Sequence, residues 1–480
     1  MHAQESQRQV AAATQSGAGA CAVHHPATQG RASTHVAFLA ICLGYFVTIL
    51  DTTIVNVALP TFRRQFGATV SDLQWVVDGY ALVYAALLLS AGALGDKLGS
   101  KRLFLVGLAL FTIGSALCGA SPALWALQTA RVLQGVGAAV AVPTSLALLR
   151  HLFSAPTERA KALGIWGGVA GIGAGAGPVV GGILVGGLTW RSVFFVNVPI
   201  GLIAVLLTLR FVPESPRRQD RSLDLRAQLA GIVALAAVTV AFIEGGASGW
   251  TSPLMRAAFI LFVVATSAFI VIERHATDPM LPLELFSSSS FSAGNAVGFL
   301  INFGFYGELF LLSLFFQHVR GYSPTSTGLA LLPQMGMAVV GSWLAGRVMS
   351  RVGPRSPMIT GLLLGGAGLL SVALIGKTSP YVALVPMLVA IGFGMSYTMP
   401  AMTSAVIESA PSERAGMASG VVNTSRQVGG VIGVALLGAL AGGHRIALSG
   451  MSIALLIAGS AFLLGCVLTL LWIRQDQSSR

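Results

Sequence analysis

Fourteen predominantly apolar runs, each close to the ~20 residues that a helix needs to cross a bilayer, follow one another along this 480-residue chain. They span approximately 36–59, 75–95, 103–121, 123–149, 162–187, 191–211, 227–245, 254–272, 292–317, 326–348, 357–376, 382–405, 417–441 and 449–473. Such a pattern leaves few folds open. In hydrocarbon every backbone N–H and C=O must be satisfied within the chain, so only helices and closed barrels can span. The runs are continuous and lack the short alternating segments of a transmembrane barrel, which argues against that fold. Composition agrees: 54% of the residues are hydrophobic and only 10% charged, against about 25% in soluble chains. The chain reads as an all-α polytopic membrane protein with the lipid bilayer as its solvent.

Basic residues set the expected orientation, because cytoplasmic loops collect Lys and Arg. An even number of spans puts both termini on one side. With that side cytoplasmic, inner segments hold twenty basic residues and outer segments seven, while Arg131 and Arg426 fall within helices. The net charge of +12 is scattered over short loops instead of grouped on one face, so nucleic acid is not the expected partner. Residues 1–34 are rich in Ala, Gln, Ser and Gly and lack the layout of a signal peptide; they read as a disordered cytoplasmic tail. Residues 476–480 read as a second, short tail. Cys21, Cys42, Cys118 and Cys466 show no metal spacing, and no phosphate-cradling loop or nucleophile–base set is visible. An enzyme and a cofactor are therefore not expected, and uphill transport would draw on an ion gradient.

Charges inside the apolar runs are the candidate functional groups. Asp51 interrupts the first run, where an ionised Asp costs roughly 2.5 to 3.5 kcal/mol and such residues face an interior or a water-filled cavity. Its plain alternative is a carboxylate satisfied by Thr52 or Thr53. Arg131 and Gln134 are three apart and Gly135 four, so they share one helix face. Asp78 in the second run and Glu308 in the ninth are further intramembrane acids, read as sites for a cationic substrate or a second proton, or as structural groups. Arg426, near the start of the thirteenth run, reads as reaching the cytoplasmic interface. Trp75, Tyr80, Phe305, Phe315 and Tyr397 are candidates for an aromatic cavity or for plain packing. In the fifth run, Gly167, Gly171 and Gly175 recur every four residues, as do Gly173, Gly177 and Gly181. Such ridges let backbones approach closely, and Pro178 permits a bend.

The chain also repeats itself. A loop is expected at Gly92-AL-Gly95-Asp96-KL-Gly99-S-Lys101-Arg102, and a related one at Gly341-SWLA-Gly346-Arg347-VMS-Arg351-V-Gly353-P-Arg355. Matching loops suggest two six-helix bundles with a small-molecule site between them. The expected division is 35–211 for the first bundle, 212–290 for a linker with inserted helices seven and eight, and 291–475 for the second bundle.

Taken together, these features resemble the major facilitator superfamily, in its fourteen-helix drug:proton antiporter branch, over roughly residues 36–475. The ordered motifs that carry the resemblance are Gly92 to Arg102, Leu50-Asp51-TTIV-Asn56-VAL-Pro60, Arg131-VL-Gln134-Gly135 and Gly171-IGAGA-Gly177-Pro178-VV-Gly181-Gly182, supported by Trp190-RSVFFVNVPIG, Gly321-YSP and Asn423-TSRQVGG. The resemblance implies a proton-coupled exporter of amphipathic, cationic or neutral, toxic compounds across the cytoplasmic membrane, working as a monomer by alternating access. Export of an endogenous metabolite or a self-made antibiotic is the alternative; a transport-dead sensor or scaffold is the remote one. It implies proton coupling at Asp51 and Arg131; Asp78, Tyr80, Asn56, Gln134 and Glu308 are the substrate-binding candidates that their own chemistry suggests. Gly92, Asp96, Gly99, Arg102, Gly177, Pro178 and Gly181 would serve conformational change, with Asp96 as a latch.

Overall fold

The computed structural model describes residues 31–153, 155–215, 224–276, 279–281, 283–411, 414–442 and 448–473. Most of the segment read as an N-terminal tail, the short C-terminal tail and Cys21 lie outside the described residues.

Every regular element among the described residues is helical. The first half comprises α1 (Arg31–Ile54), which passes through a 3-10 turn into α2 (Leu59–Phe66), then α3 (Val70–Leu98), α4 (Ser100–Ala120), α5 (Leu124–Leu152), α6 (Pro156–Gly187), α7 (Ser192–Phe195) and α8 (Asn197–Phe211). A pair follows, α9 (Leu225–Ser248) and α10 (Pro253–His275). The second half comprises α11 (Ser289–Leu314), α12 (Pro324–Ala330), α13 (Leu332–Val352), α14 (Arg355–Val372), α15 (Tyr381–Glu408), α16 (Ala415–Leu440) and α17 (Leu448–Trp472).

Local chemistry accounts for the helix ends. Thr69 and Asp72 form a reciprocal capping box that starts α3, satisfying two otherwise orphaned N–H groups. Ser252 and Ser323 cap α10 and α12, each followed by proline at the first helical position, where a missing N–H costs nothing. α1 begins at Arg31, within the stretch read as tail, because helical hydrogen bonding continues beyond the apolar run.

Eleven stretches among the described residues are long and apolar enough to cross a membrane. Three more long helices, α3, α14 and α16, pack among them. Two of these carry polar groups within: Gln74 and Asp78 on α3 are buried, and Asn423, Arg426 and Gln427 on α16 line a cavity. The outer surface is inverted relative to a soluble protein. α10 turns Ile260, Leu261, Val263, Val264 and Val271 outward, as suits lipid.

Helices of each half pack mainly with one another, and the halves meet where α6 lies against α12 and α13 and where α3 lies against α16. The pair α9 and α10 packs together, with α9 seated on α3 and α16 beside that second seam.

The two related stretches read as loops are mostly helix. α3 runs on to Leu98 and α4 starts at Ser100, so the reversal rests on Gly99 alone, at φ 98°. In the second half α13 runs to Val352 and turns at Gly353, at φ 74°. Glycine density had suggested a loop, but a helical glycine costs only about 1 kcal/mol. Only the positive-φ position demands one.

Candidate functional site

Five helices of the first half converge on Asp51. The carboxylate is fully buried. Its Oδ2 accepts from Arg131 Nη1 in a close ion pair, and its Oδ1 accepts from Gln134 Nε2 at 2.8 Å and Asn197 Nδ2 at 2.9 Å. α1 supplies the acid, α5 the Arg and Gln, and α8 the Asn at its first residue. α4 supplies Ser115, whose Oγ accepts from Gln134 Nε2 at 2.8 Å. α3 supplies the Val76 carbonyl, which accepts from Arg131 Nε at 3.0 Å, and the Tyr80 ring, 4.3 Å from the guanidinium carbon. Arg131 also donates to Gln134 Oε1 at 2.6 Å and faces the Phe194 ring at 5.9 Å.

This explains how such expensive charges persist. A buried ion pair is tolerable only when its remaining lone pairs and protons are satisfied, and here both carboxylate oxygens are. The alternative partners do not serve: Thr52 donates to Ile49 O at 2.7 Å and Thr53 to Ala174 O at 3.0 Å. The motif residues Asp51, Arg131, Gln134 and Tyr80 are therefore one cluster. Sequence reasoning missed Asn197 and Ser115. An amide inside the apolar stretch Trp190-RSVFFVNVPIG was a usable signal for the first; nothing distinguished the second.

Between the halves lies a cavity of about 1290 Å³. Tyr45, Tyr84, Trp166, Tyr306, Gln334 and Arg426 line it, with Trp166 stacked on Tyr45 at 3.9 Å. Its mouth includes Arg150, Arg414, Glu273 and Glu284. The opposite end is closed by hydrogen bonds across the halves. Gln74 Nε2 donates to Val434 O at 2.9 Å and Ala435 O at 2.7 Å, Gln317 Nε2 to Val57 O at 2.9 Å, and Thr325 Oγ1 to Gly182 O at 3.0 Å. Replacing Gln74 by Leu removes two of these bonds, each worth about 0.5 to 1.5 kcal/mol. We expect Gln74→Leu to increase thiol labelling of a cysteine placed beside Val434 by about tenfold; unchanged labelling would count against a sealing role.

The remaining predicted residues are dispersed. Asp78 is buried on α3 with neither oxygen partnered. Glu308 Oε2 accepts from Gln334 Nε2 at 2.9 Å, so it stands behind the cavity wall. Asn56, in the 3-10 turn after α1, donates to carbonyls of the last turn of α1, Thr52 O and Thr53 O, both at 3.3 Å. Asp78, Tyr80, Asn56, Gln134 and Glu308 are all absent from the cavity lining. Arg426 is on that lining, which corrects its reading as an interfacial residue: α16 sits at the seam between the halves and turns this side chain inward. Gly92 also lines the cavity. Arg102 lies 3.9 Å from Glu214, with both side chains largely exposed, a pairing of little energetic weight. Asp96 lies in the last turns of α3, not in a loop, and its side chain lies outside the described residues.

The two glycine ridges of α6 have different surroundings. A Cβ on Gly177 would lie 1.9 Å from Thr53 Oγ1, and one on Gly181 2.7 Å from Ile54 O, so this ridge is pressed onto α1. A Cβ on Gly167 or Gly171 would meet no neighbouring element within 4 Å, and both residues border the cavity. Pro178 sits between, and its carbonyl would lie 2.2 Å from a Cβ on Gly328 of α12.

Relatives and solved structures agree with this architecture. The chain is 40% identical over 402 residues to the multidrug resistance protein Stp of Mycobacterium tuberculosis (strain CDC 1551 / Oshkosh), covering 84% of this chain and 75% of that protein. It is 36% identical over 430 residues to the methylenomycin A resistance protein of Streptomyces coelicolor (strain ATCC BAA-471 / A3(2) / M145), covering 90% of each. Its fold matches, with a TM-score of 0.67 and 17% identity over 94% of this chain and 99% of the other, the crystal structure of a bacterial homolog to the human lysosomal transporter Spinster in an inward-facing and occupied conformation. Residues 41–434 match the Major Facilitator Superfamily, and the chain belongs to that family of transporters.

Proposed function

We propose that this chain exports amphipathic toxic compounds, antibiotics among them, across the plasma membrane in exchange for protons, by alternating access. The observation that carries the reading is the cavity between the halves, open at one end and tied shut at the other by side chains bonded to backbone carbonyls. Such bonds can be broken and replaced without stranding a charge. The names of the relatives, a multidrug resistance protein and an antibiotic resistance protein, support the class of cargo.

In this reading α3, α14 and α16 also cross the bilayer, giving fourteen spans of the drug:proton antiporter branch, with bundles at 35–211 and 291–475 and an inserted pair within 212–290. The concentration of Arg at the open end supports a cytoplasm-facing cavity with both termini on that side. Because one chain encloses the whole cavity, a monomer suffices.

Asp51 and Arg131 are the proposed coupling pair. A proton on Asp51 cancels the negative member of a pair that holds five helices together, and so changes the relative stability of states that differ in how those helices pack. Asp78 and Glu308 are second candidates for proton binding, and Gly177, Pro178 and Gly181 form the proposed moving seam against α1. Proteoliposomes with an imposed pH gradient and a compound panel test the proposal. Wild-type protein is expected to accumulate substrate, a protonophore to stop it, and Asp51→Asn to abolish gradient-driven accumulation while inserting normally. Full gradient-driven transport by Asp51→Asn would remove Asp51 from the mechanism. Similarity to the methylenomycin A resistance protein also favours a second reading, export of a self-made antibiotic, for which the panel would yield one substrate instead of many.

A further inference from the structure

Arg426 is the feature of the cavity that the export mechanism leaves unused. Its Nη1 donates to Asn423 Oδ1 at 3.2 Å, while its Nε is buried with no hydrogen-bond partner. Among the described residues no carboxylate lies within ion-pair distance of it. An enclosed guanidinium carries five donors in a planar fork and needs acceptors for them; an amide oxygen satisfies only one.

The surroundings point the same way. Tyr45, Tyr84, Tyr306 and Trp166 share the lining with Arg426, a set of aromatic walls around one cation. The ionised lining as a whole comprises five arginines and two glutamates. Of the two acids, Glu284 pairs with Arg414 at 2.8 Å and Glu273 accepts from the Leu281 N–H at 3.1 Å. Asp78 and Glu308, the acids that could attract a cation, lie off the lining. Low-dielectric walls lined by one sign of charge focus the field and concentrate the opposite charge.

We infer that Arg426 is a substrate-binding residue that takes the anionic group of an aromatic organic anion, such as a carboxylate or sulfonate, between the tyrosines of the cavity. This departs from the cargo expected from sequence, cationic or neutral, and it rests on the export reading for the cavity being a substrate site. Charge balance follows. An anion leaving and a proton entering move charge in the same sense, so an inside-negative potential drives the exchange. A monocation leaving for one proton moves no net charge.

Naphthaleneacetate, its neutral amide and naphthylethylamine provide a matched set of probes for binding to the purified full chain in detergent. The acetate is expected to bind wild type most tightly. Arg426→Gln is expected to weaken the acetate about tenfold and leave the amide within about twofold, with Arg426→Lys between, since it keeps the charge and loses the fork. Amide binding reports that each variant is folded; should Arg426→Gln not fold, the wild-type preference and Arg426→Lys carry the test. In proteoliposomes an inside-negative potassium diffusion potential is expected to speed acetate export. The inference is overturned if no anion binds, if the amine binds better than the acetate, or if acetate binding is indifferent to Arg426. Protonophore-sensitive export of cations alone would sink it and leave the export reading intact; selective anion binding without gradient-driven transport would do the reverse.

Discussion

Truncating Arg131 to Ala is expected to destabilise the chain by roughly 3 to 5 kcal/mol, the usual cost of removing one partner of a buried ion pair, and to lower the thermal midpoint in detergent accordingly. The loss has two parts. One is the Asp51 charge left behind, with Oδ1 still held by Gln134 and Asn197 but Oδ2 deprived of its partner. The other is the packing of the guanidinium on Tyr80 and its bond to Val76 O. The double variant Arg131→Met, Asp51→Asn separates them, since it removes both charges and keeps volume. We expect it to melt much nearer to wild type than Arg131→Ala, with a coupling energy above the few tenths of a kcal/mol found between independent sites. Both variants should be transport-dead by the proposed mechanism, so stability and transport part company. An Arg131→Ala protein that melts like wild type would mean that the pair bears no structural load.

The same cluster marks how far the sequence could be read. Asp51 and Arg131 stood out because a charge in an apolar run has no cheap explanation. Their contact did not, because they lie 80 residues apart and only the packing of α1 on α5 brings them together. Ser115 carried no signal at all, since a helical serine commonly satisfies itself on its own backbone. Facing was the harder problem. Asp78, Glu308 and Arg426 were all visible as polar interruptions, but periodicity cannot say whether a face meets a cavity or a neighbouring helix. Two of these went behind the wall and one went onto it. The turn between α3 and α4 was legible in place but not in extent: ten of the eleven residues read as loop are helix, and only Gly99 carries the conformational demand.

Gly177 and Gly171 belong to ridges that look alike in sequence, and their alanine variants are expected to behave oppositely. In Gly177→Ala the new methyl would lie 1.9 Å from Thr53 Oγ1 and 2.9 Å from Ile54 N. Thr53 is not free to turn away at no cost, because its hydroxyl donates to Ala174 O at 3.0 Å. Nor can α6 easily shift, since Pro178 and Gly182 on its adjoining face are pressed against Gly328 and Pro324 of α12. Overpacking of this kind costs about 1 to 3 kcal/mol. It falls on the seam where α6 meets both α1 and the second half, so proton-driven transport should drop by about tenfold or more. In Gly171→Ala the methyl enters open cavity, and exchanging glycine for alanine within a helix contributes up to about 1 kcal/mol. That variant should melt at or slightly above wild type and insert normally. Any change should appear in substrate affinity, because the residue borders the binding space. Equal damage from both would show that the two ridges are equivalent. Wild-type melting and transport by Gly177→Ala would show that α1 and α6 can separate freely, and a seam that yields so easily could not hold the cavity shut at one end.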